Sequence, residues 1–180
     1  MRKLIILGGV LAAGKSTFSR FIGEKFGVTV VNKDNLKEIL GDTIRVDTRE
    51  DNLKLSVVSF NLMSYLVEKN YGTLVLESNF KAYELKDLKA QCERLGYEVM
   101  SLIFDADNDV LHSRFIKRLD ENRHYVHKSQ DFSKIEDFIP TLDALRGLEY
   151  FGEIINVDAT SFEYQKDTSL FDKIEAFIKK

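Results

Sequence analysis

Gly9-Val10-Leu11-Ala12-Ala13-Gly14-Lys15-Ser16 has the spacing G-x-x-x-x-G-K-[ST], and Thr17 follows it. Each fixed position has a chemical reason. Gly9 and Gly14 let the backbone wrap around a phosphate, with successive N–H groups pointing inward. A helix beginning near Lys15 adds the positive end of its dipole. Lys15 can reach β- and γ-phosphate oxygens, and the Ser16 hydroxyl can ligate Mg²⁺. In a chain of 180 residues, background frequencies give a chance match of roughly 1% or less. Residues 9–17 are therefore read as a nucleotide-binding loop.

Further groups can act on that phosphate. In Asn32-Lys33-Asp34-Asn35-Leu36-Lys37, Asp34 and Lys37 are three apart and share a face of a first helical turn. Asp34 can take the proton of an attacking hydroxyl. Lys37 can hold an anionic group of the acceptor, and Asn32 is a candidate substrate contact. Simple helix capping by Asn32 or Asp34 is the competing reading. In Glu77-Ser78-Asn79-Phe80, Glu77 can hold Mg²⁺ through water or orient the nucleophile, and Asn79 can bind substrate. A helix cap at Ser78 or Asn79 competes there. Residues 112–127, HSRFIKRLDENRHYVH, gather Arg114, Arg118 and Arg123. Phosphoryl transfer needs positive charge delivered by a segment that closes and excludes water, which makes Arg118 and Arg123 catalytic candidates. The alternative is a solvated face paired with Asp120 and Glu121. His124 and His127 lack a third ligand pattern and Cys92 is far away, so zinc is not expected.

These residues must sit on elements that bring them together. Lys3–Leu7 is a short apolar run without alternation, as in a strand covered on both faces. Phe18, Phe21, Ile22 and Phe26 then repeat at helical spacing up to Gly27. Strands are expected at 28–31, 73–76, 99–104 and 154–157. Helices are expected at 36–40, ended by Gly41; at 53–67, buried on most sides; at 85–95, capped by Gly96; at 110–119; at 135–148, with a fresh start at Pro140; and at 170–178. Residues 41–52 read as a loop and 120–133 as a mobile polar segment. Strands alternating with helices mean a parallel sheet covered on both faces. In such a sheet, ligands bind beyond the carboxyl ends of the strands, which is where 8–17, 32–37 and 77–80 fall.

Composition narrows the function classes. Hydrophobic residues make up 44% and charged residues 31%, with a net charge of −3, which gives no global case for nucleic-acid or membrane binding. No apolar run reaches the length needed to span a bilayer. One cysteine fits a reducing compartment, and a cytoplasmic protein is expected. Residues 2–13 also have the basic start and apolar core of an export signal. Cleavage near Ala13, however, would remove the central strand. Asn32-Lys33-Asp34-Asn35 nearly matches a guanine-reading N-K-x-D, but the aspartate is one position early and no D-x-x-G follows. A GTPase reading is discarded.

The stretches GGVLAAGKST, NKDNLK, ESNF and RFIKRLDENRHYVH resemble the small P-loop kinases. Within these AAA-type ATP-binding proteins they are similar to the branch with polynucleotide 5′-hydroxyl kinases, chloramphenicol phosphotransferase and zeta-toxin-like proteins. The resemblance covers nearly the whole chain. It implies a three-layer α/β P-loop NTPase fold over residues 1–180, with a five-stranded parallel sheet in the order 2-3-1-4-5. It also implies a lid at about 112–133 with arginines from 114–123, Asp34 as base, and ATP and Mg²⁺ as cofactors. A base-binding segment would fall at Asn156-Val157-Asp158-Ala159-Thr160. Two positions depart from the branch: Lys37 stands where arginine is frequent, and Tyr125-Val126 replaces Pro-Gly in the lid. The expected activity is transfer of the γ-phosphate to a hydroxyl of a small molecule, nucleoside or polynucleotide end. A nucleotide-dependent switch or ATPase without an acceptor is the alternative. Residues alone leave the oligomeric state and the acceptor open.

Overall fold

The computed structural model describes residues 1–119, 123–127 and 132–180. Five strands, β1 (Arg2–Gly9), β2 (Thr29–Asn32), β3 (Thr73–Glu77), β4 (Tyr97–Asp105) and β5 (Glu153–Asp158), form one parallel sheet in the order β2-β3-β1-β4-β5. Among the described residues, seven α-helices cover it: α1 (Lys15–Phe26), α2 (Lys33–Thr43), α3 (Arg49–Lys69), α4 (Ala82–Leu95), α5 (Asn108–Leu119), α6 (Ile135–Arg146) and α7 (Thr168–Lys179). Layers and strand order are as expected. None of these helices is long and apolar enough to cross a membrane.

The central strand explains the unalternating run at the front of the chain. Leu4, Ile5, Ile6 and Leu7 are all 0% exposed. Ile5 and Leu7 enter a core shared with α1, α5, α6 and α7, and Leu4 and Ile6 enter a second core with α3 and α4. At about 2 kcal/mol per buried aliphatic side chain, these four contribute on the order of 8 kcal/mol before chain entropy is counted.

Register sets the site. Leu7 of β1 and Asn32 of β2 both pair with Glu77 of β3, and Gly9 pairs with Phe104 of β4. The carboxyl ends of four strands therefore meet at one level, directly beneath the loop that leads into α1.

Four local expectations are corrected. Gly41 does not end α2, which runs on to Thr43. A Cβ at Gly41 would come within 2.7 Å of Val126, so the glycine serves a close approach and not a helix stop. The segment 41–52 is not all loop, because Thr48 and Asp51 form a capping box that starts α3 at Arg49. α3 is an outer helix: Leu55, Ser59, Phe60, Met63 and Val67 are buried, while Leu53, Val57, Val58, Leu62, Tyr65 and Leu66 stay exposed. Pro140 lies inside α6; it removes one N–H donor near the first turns, while Phe138 and Leu142 on either side hold the helix in the core. In α4, the buried Cys92 thiol is pushed up to about 12 by burial.

Gly9 is the tightest point of the sheet edge. Its φ is 107°, and a Cβ there would lie 2.0 Å from the carbonyl oxygen of Phe104. Gly9→Ala is expected to lower unfolding free energy by about 3 kcal/mol or more, measured by chemical denaturation. Wild-type stability in that variant would contradict the close approach of β1 and β4.

Candidate active site

The loop between β1 and α1 is bent by left-handed backbone at Ala12 (φ 60°) and Gly14 (φ 85°). Its first donors are used by protein: the Gly9 N–H donates to the Tyr150 hydroxyl at 2.9 Å and the Val10 N–H to the Phe104 carbonyl at 3.0 Å. Among the described residues, the N–H groups of Leu11, Ala12, Ala13 and Gly14 meet no protein acceptor. They form the anion-receiving concavity that the spacing predicts. Ser16 and Thr17 are exposed in the first turn of α1.

Lys15 is only 5% exposed, and its ammonium turns back to the carbonyls of Gly9 and Val10. Burial lowers its pKa to about 8; Glu77 and Asp34 pull it upward, and Arg118 pushes it down. Lysine, both carboxylates and Arg118 thus share one electrostatic neighbourhood.

Glu77 is the hub beside it. One carboxylate oxygen accepts the Ser16 hydroxyl at 2.8 Å, and the other accepts Ser19 at 3.3 Å and the Asn32 amide. Burial raises its pKa above the usual carboxylate range, against the hydrogen bonds from Ser16 and Asn32 and the charge of Lys15. The Asn32 side-chain oxygen meanwhile caps α2 by accepting the Asn35 N–H at 3.0 Å. Asn32 therefore does both things its residue type allows: it caps the helix and it orients Glu77.

Past the end of β2, a pocket of about 780 Å³ opens between the loop, α2 and the segment after α5. Asp34, Asn32, Ser16, Arg118 and Arg123 line it, as do Asn35, Glu38, His124, Tyr125 and His127. Five of these wall residues had no assigned substrate role. Glu38 was legible in principle, since it lies one turn after Asp34 on the same helix face.

The segment 123–127 is docked, contrary to the expected mobile stretch. A 3₁₀ turn at Tyr125–His127 buries Val126. His127 pairs with Glu38 at 2.9 Å and His124 with Asp42 at 3.0 Å. The Tyr125 hydroxyl donates to the Gly41 carbonyl. The rest of the expected lid between 120 and 131, including Asp120 and Glu121, lies outside the described residues.

Other sequence candidates fall elsewhere. Lys37 does not line the pocket; its half-buried ammonium donates to the Val126 carbonyl at 3.3 Å, and desolvation lowers its pKa. Asn79 leaves its buried side-chain oxygen without a partner. Arg114 does not line this pocket. It donates to the Ala159 and Thr160 carbonyls at 2.7 and 3.1 Å and lies 4.3 Å over the Phe162 ring, which fixes the loop after β5. Beyond β4 and β5 lies a cavity of about 1170 Å³ that reaches Gly9, Val10 and Asn156 to Asp158.

Two supports were not read from sequence. Tyr150 holds the start of the loop through Gly9. Lys33 and Glu84, both buried, form an ion pair that ties the first turn of α2 to α4. Glu84 also caps α4 by accepting the Lys81 N–H at 3.0 Å. That capping box was the only signal for Glu84, and it says nothing of Lys33.

The loop, the parallel sheet and the strand-end residues define a P-loop nucleotide-binding protein with the kinase fold. Solved structures share it. A protein of Chloroflexus aurantiacus J-10-fl proposed to be a kinase superposes with a TM-score of 0.80 at 21% identity, over 98% of each chain. A gluconokinase from Sinorhizobium meliloti 1021 matches at 0.62 and 14% identity, over 99% of this chain and 96% of its own. A shikimate kinase from Bacteroides thetaiotaomicron matches at 0.59 and 16%, over 97% of each. None of the curated proteins compared by sequence matches. The model of a family described as an AAA domain (AAA_33) matches residues 4–138. The chain belongs to this AAA domain family.

Two outcomes test the electrostatics. Glu77 has a raised folded-state pKa, so its contribution to stability is present at low pH and lost as pH rises through that value. Glu77→Gln should therefore gain melting temperature relative to wild type as pH is raised from acidic to neutral; an unchanging difference contradicts the buried charge. Lys15 must be protonated to hold phosphate. Nucleoside triphosphate affinity should fall as pH passes about 8, with proton uptake on binding in calorimetry. A flat affinity between pH 7 and 9.5 contradicts the lowered pKa.

Proposed function

We propose that this chain is an ATP- and Mg²⁺-dependent kinase that transfers the γ-phosphate to a hydroxyl of a small molecule, nucleoside or polynucleotide end. The observation that carries this reading is the convergence at one pocket of Ser16, Asp34 and Arg118, with the buried Lys15 in electrostatic reach of Asp34 and Arg118. A phosphate-binding loop alone would serve a switch equally well. A carboxylate facing that loop across an open pocket is what a transferase needs.

Each residue then has a role. N–H groups of residues 11–16 hold the phosphates, and Lys15 swings from the Gly9 and Val10 carbonyls to the β- and γ-oxygens. The acceptor hydroxyl attacks the γ-phosphorus while its proton passes to Asp34. The bond to the β–γ bridging oxygen breaks, and ADP leaves with that electron pair. Arg118 and Arg123 neutralise the charge that builds on the transferring group.

Ser16 and Glu77 offer adjacent hard oxygens at the loop, a donor set that suits Mg²⁺. They would hold the ion, which neutralises phosphate charge when bound. The loop after β5, fixed by Arg114, is the candidate support for the nucleotide base. The reading takes residues 1–180 as one such unit with the lid near 112–133, acting in the cytoplasm.

Lys15→Ala is expected to abolish transfer of label from γ-labelled ATP. Asp34→Asn is expected to keep ATP affinity and lose at least about 100-fold in transfer rate. Unchanged turnover in Asp34→Asn would remove it as the base. ATP turnover with no labelled acceptor would favour an ATPase.

A further inference from the structure

We infer that the acceptor is a small polyhydroxylated molecule, a sugar or sugar acid, gripped between α2 and the segment 123–127. This rests on the kinase reading above and narrows it.

Contacts between α2 and the segment 123–127 give the pocket its shape. Its outer wall is pinned to α2 by the His127–Glu38 and His124–Asp42 pairs at 2.9 and 3.0 Å. The Val126 carbonyl also accepts from Lys37 at 3.3 Å and from Asn52 on α3 at 3.0 Å. The wall fits because Gly41 has no side chain beneath Val126. A pocket held in shape from both sides can be read directly for what it accommodates.

Among the described residues its chemistry is polar throughout, with no aliphatic side chain in the lining. Pockets for flat or apolar ligands are built from hydrophobic and aromatic surface. Here carboxylates at Asp34 and Glu38 accept, Arg118 and Arg123 donate, and Asn35 does both. Hydroxyl groups, which donate and accept alike, match that alternation. Asp34 and Glu38 are one helical turn apart, about 5–6 Å, comparable to the spread of hydroxyls across a sugar ring. One hydroxyl at Asp34 takes the phosphate by the step already given, while its neighbours are held at Asn35 and Glu38. The two arginines can additionally take a carboxylate.

Nucleosides and oligonucleotides fit less well. Base recognition needs an aromatic face for stacking. Among the described residues Tyr125 is the only aromatic hydrocarbon ring in the lining, and it already packs on the His124 ring at a centroid distance of 4.7 Å. Asp34, Glu38 and Asp42 on α2 repel a phosphodiester backbone.

The test is transfer from γ-labelled ATP with Mg²⁺ to four acceptor groups: neutral sugars and polyols, aldonic and uronic acids, nucleosides, and 5′-hydroxyl oligonucleotides. Label is expected in the first or second group, which also tells sugar from sugar acid. With the accepted compound, Asn35→Ala and Glu38→Gln should each raise its KM at least tenfold and leave the KM for ATP unchanged. Using both variants guards against Glu38→Gln acting only through release of His127. Label confined to nucleosides or oligonucleotides overturns the inference while the kinase reading stands. A KM for the sugar that neither variant moves also overturns it. ATP hydrolysis with no label on any group overturns both.

Discussion

A carboxylate forced out of water at the end of a buried strand organises this molecule. Glu77 ends β3 between β1 and β2, and its side chain is buried, only 6% exposed. An ionised carboxylate there is tolerated only if donors surround it. The fold supplies Ser16 and Ser19 from α1 and Asn32 from the end of β2. Meeting that one demand fixes the start of α1 against the sheet. It also fixes the start of α2, because Asn32 is the cap of that helix, and through it the direction in which Asp34 points. Lys33 and Glu84 repeat the device one turn further out, with a buried cation answered by a buried carboxylate.

Charges held this way are costly. Lys15 is buried enough to lose much of its basicity, and Glu77 enough to resist ionisation. The polyphosphate and cation of the proposed function would relieve both. The loop is similar: Ala12 sits at positive φ, and among the described residues four consecutive N–H groups meet no protein partner. Stability given up across one small region is recovered when ligand binds, so ligand affinity and thermal stability should be strongly linked.

What the sequence disclosed follows the range of the forces involved. The loop was legible because a backbone wrapped around phosphate demands glycine at two fixed positions. The sheet was legible because Leu4–Leu7 has no polar face. Asp34 and Glu77 were picked out because strand ends in a parallel sheet converge, and Arg118 because phosphoryl transfer calls for positive charge from a closing segment. Contacts between distant segments were not legible. Gly41 looked like a helix stop because nothing local reveals Val126 pressing on it. Arg114 was grouped with the lid arginines because nothing local reveals the Ala159 and Thr160 carbonyls it binds. Tyr150 lies 141 residues from the amide it holds, and Lys33 is hidden behind its better-placed neighbour Asp34. α3 read as buried because its apolar residues outnumber the positions that actually face inward.

The lone thiol of this chain has a use unrelated to phosphate. Cys92 is buried on the inner side of α4, near Tyr97 and Val99 of β4, and its high pKa leaves almost no thiolate at neutral pH. With only 2% of its surface exposed, its alkylation should quicken when α4 lifts from the sheet. The chain thus carries a single chemical clock for that opening. Because Glu84 on the same helix holds Lys33, the clock reports on the footing of α2 without any label being introduced.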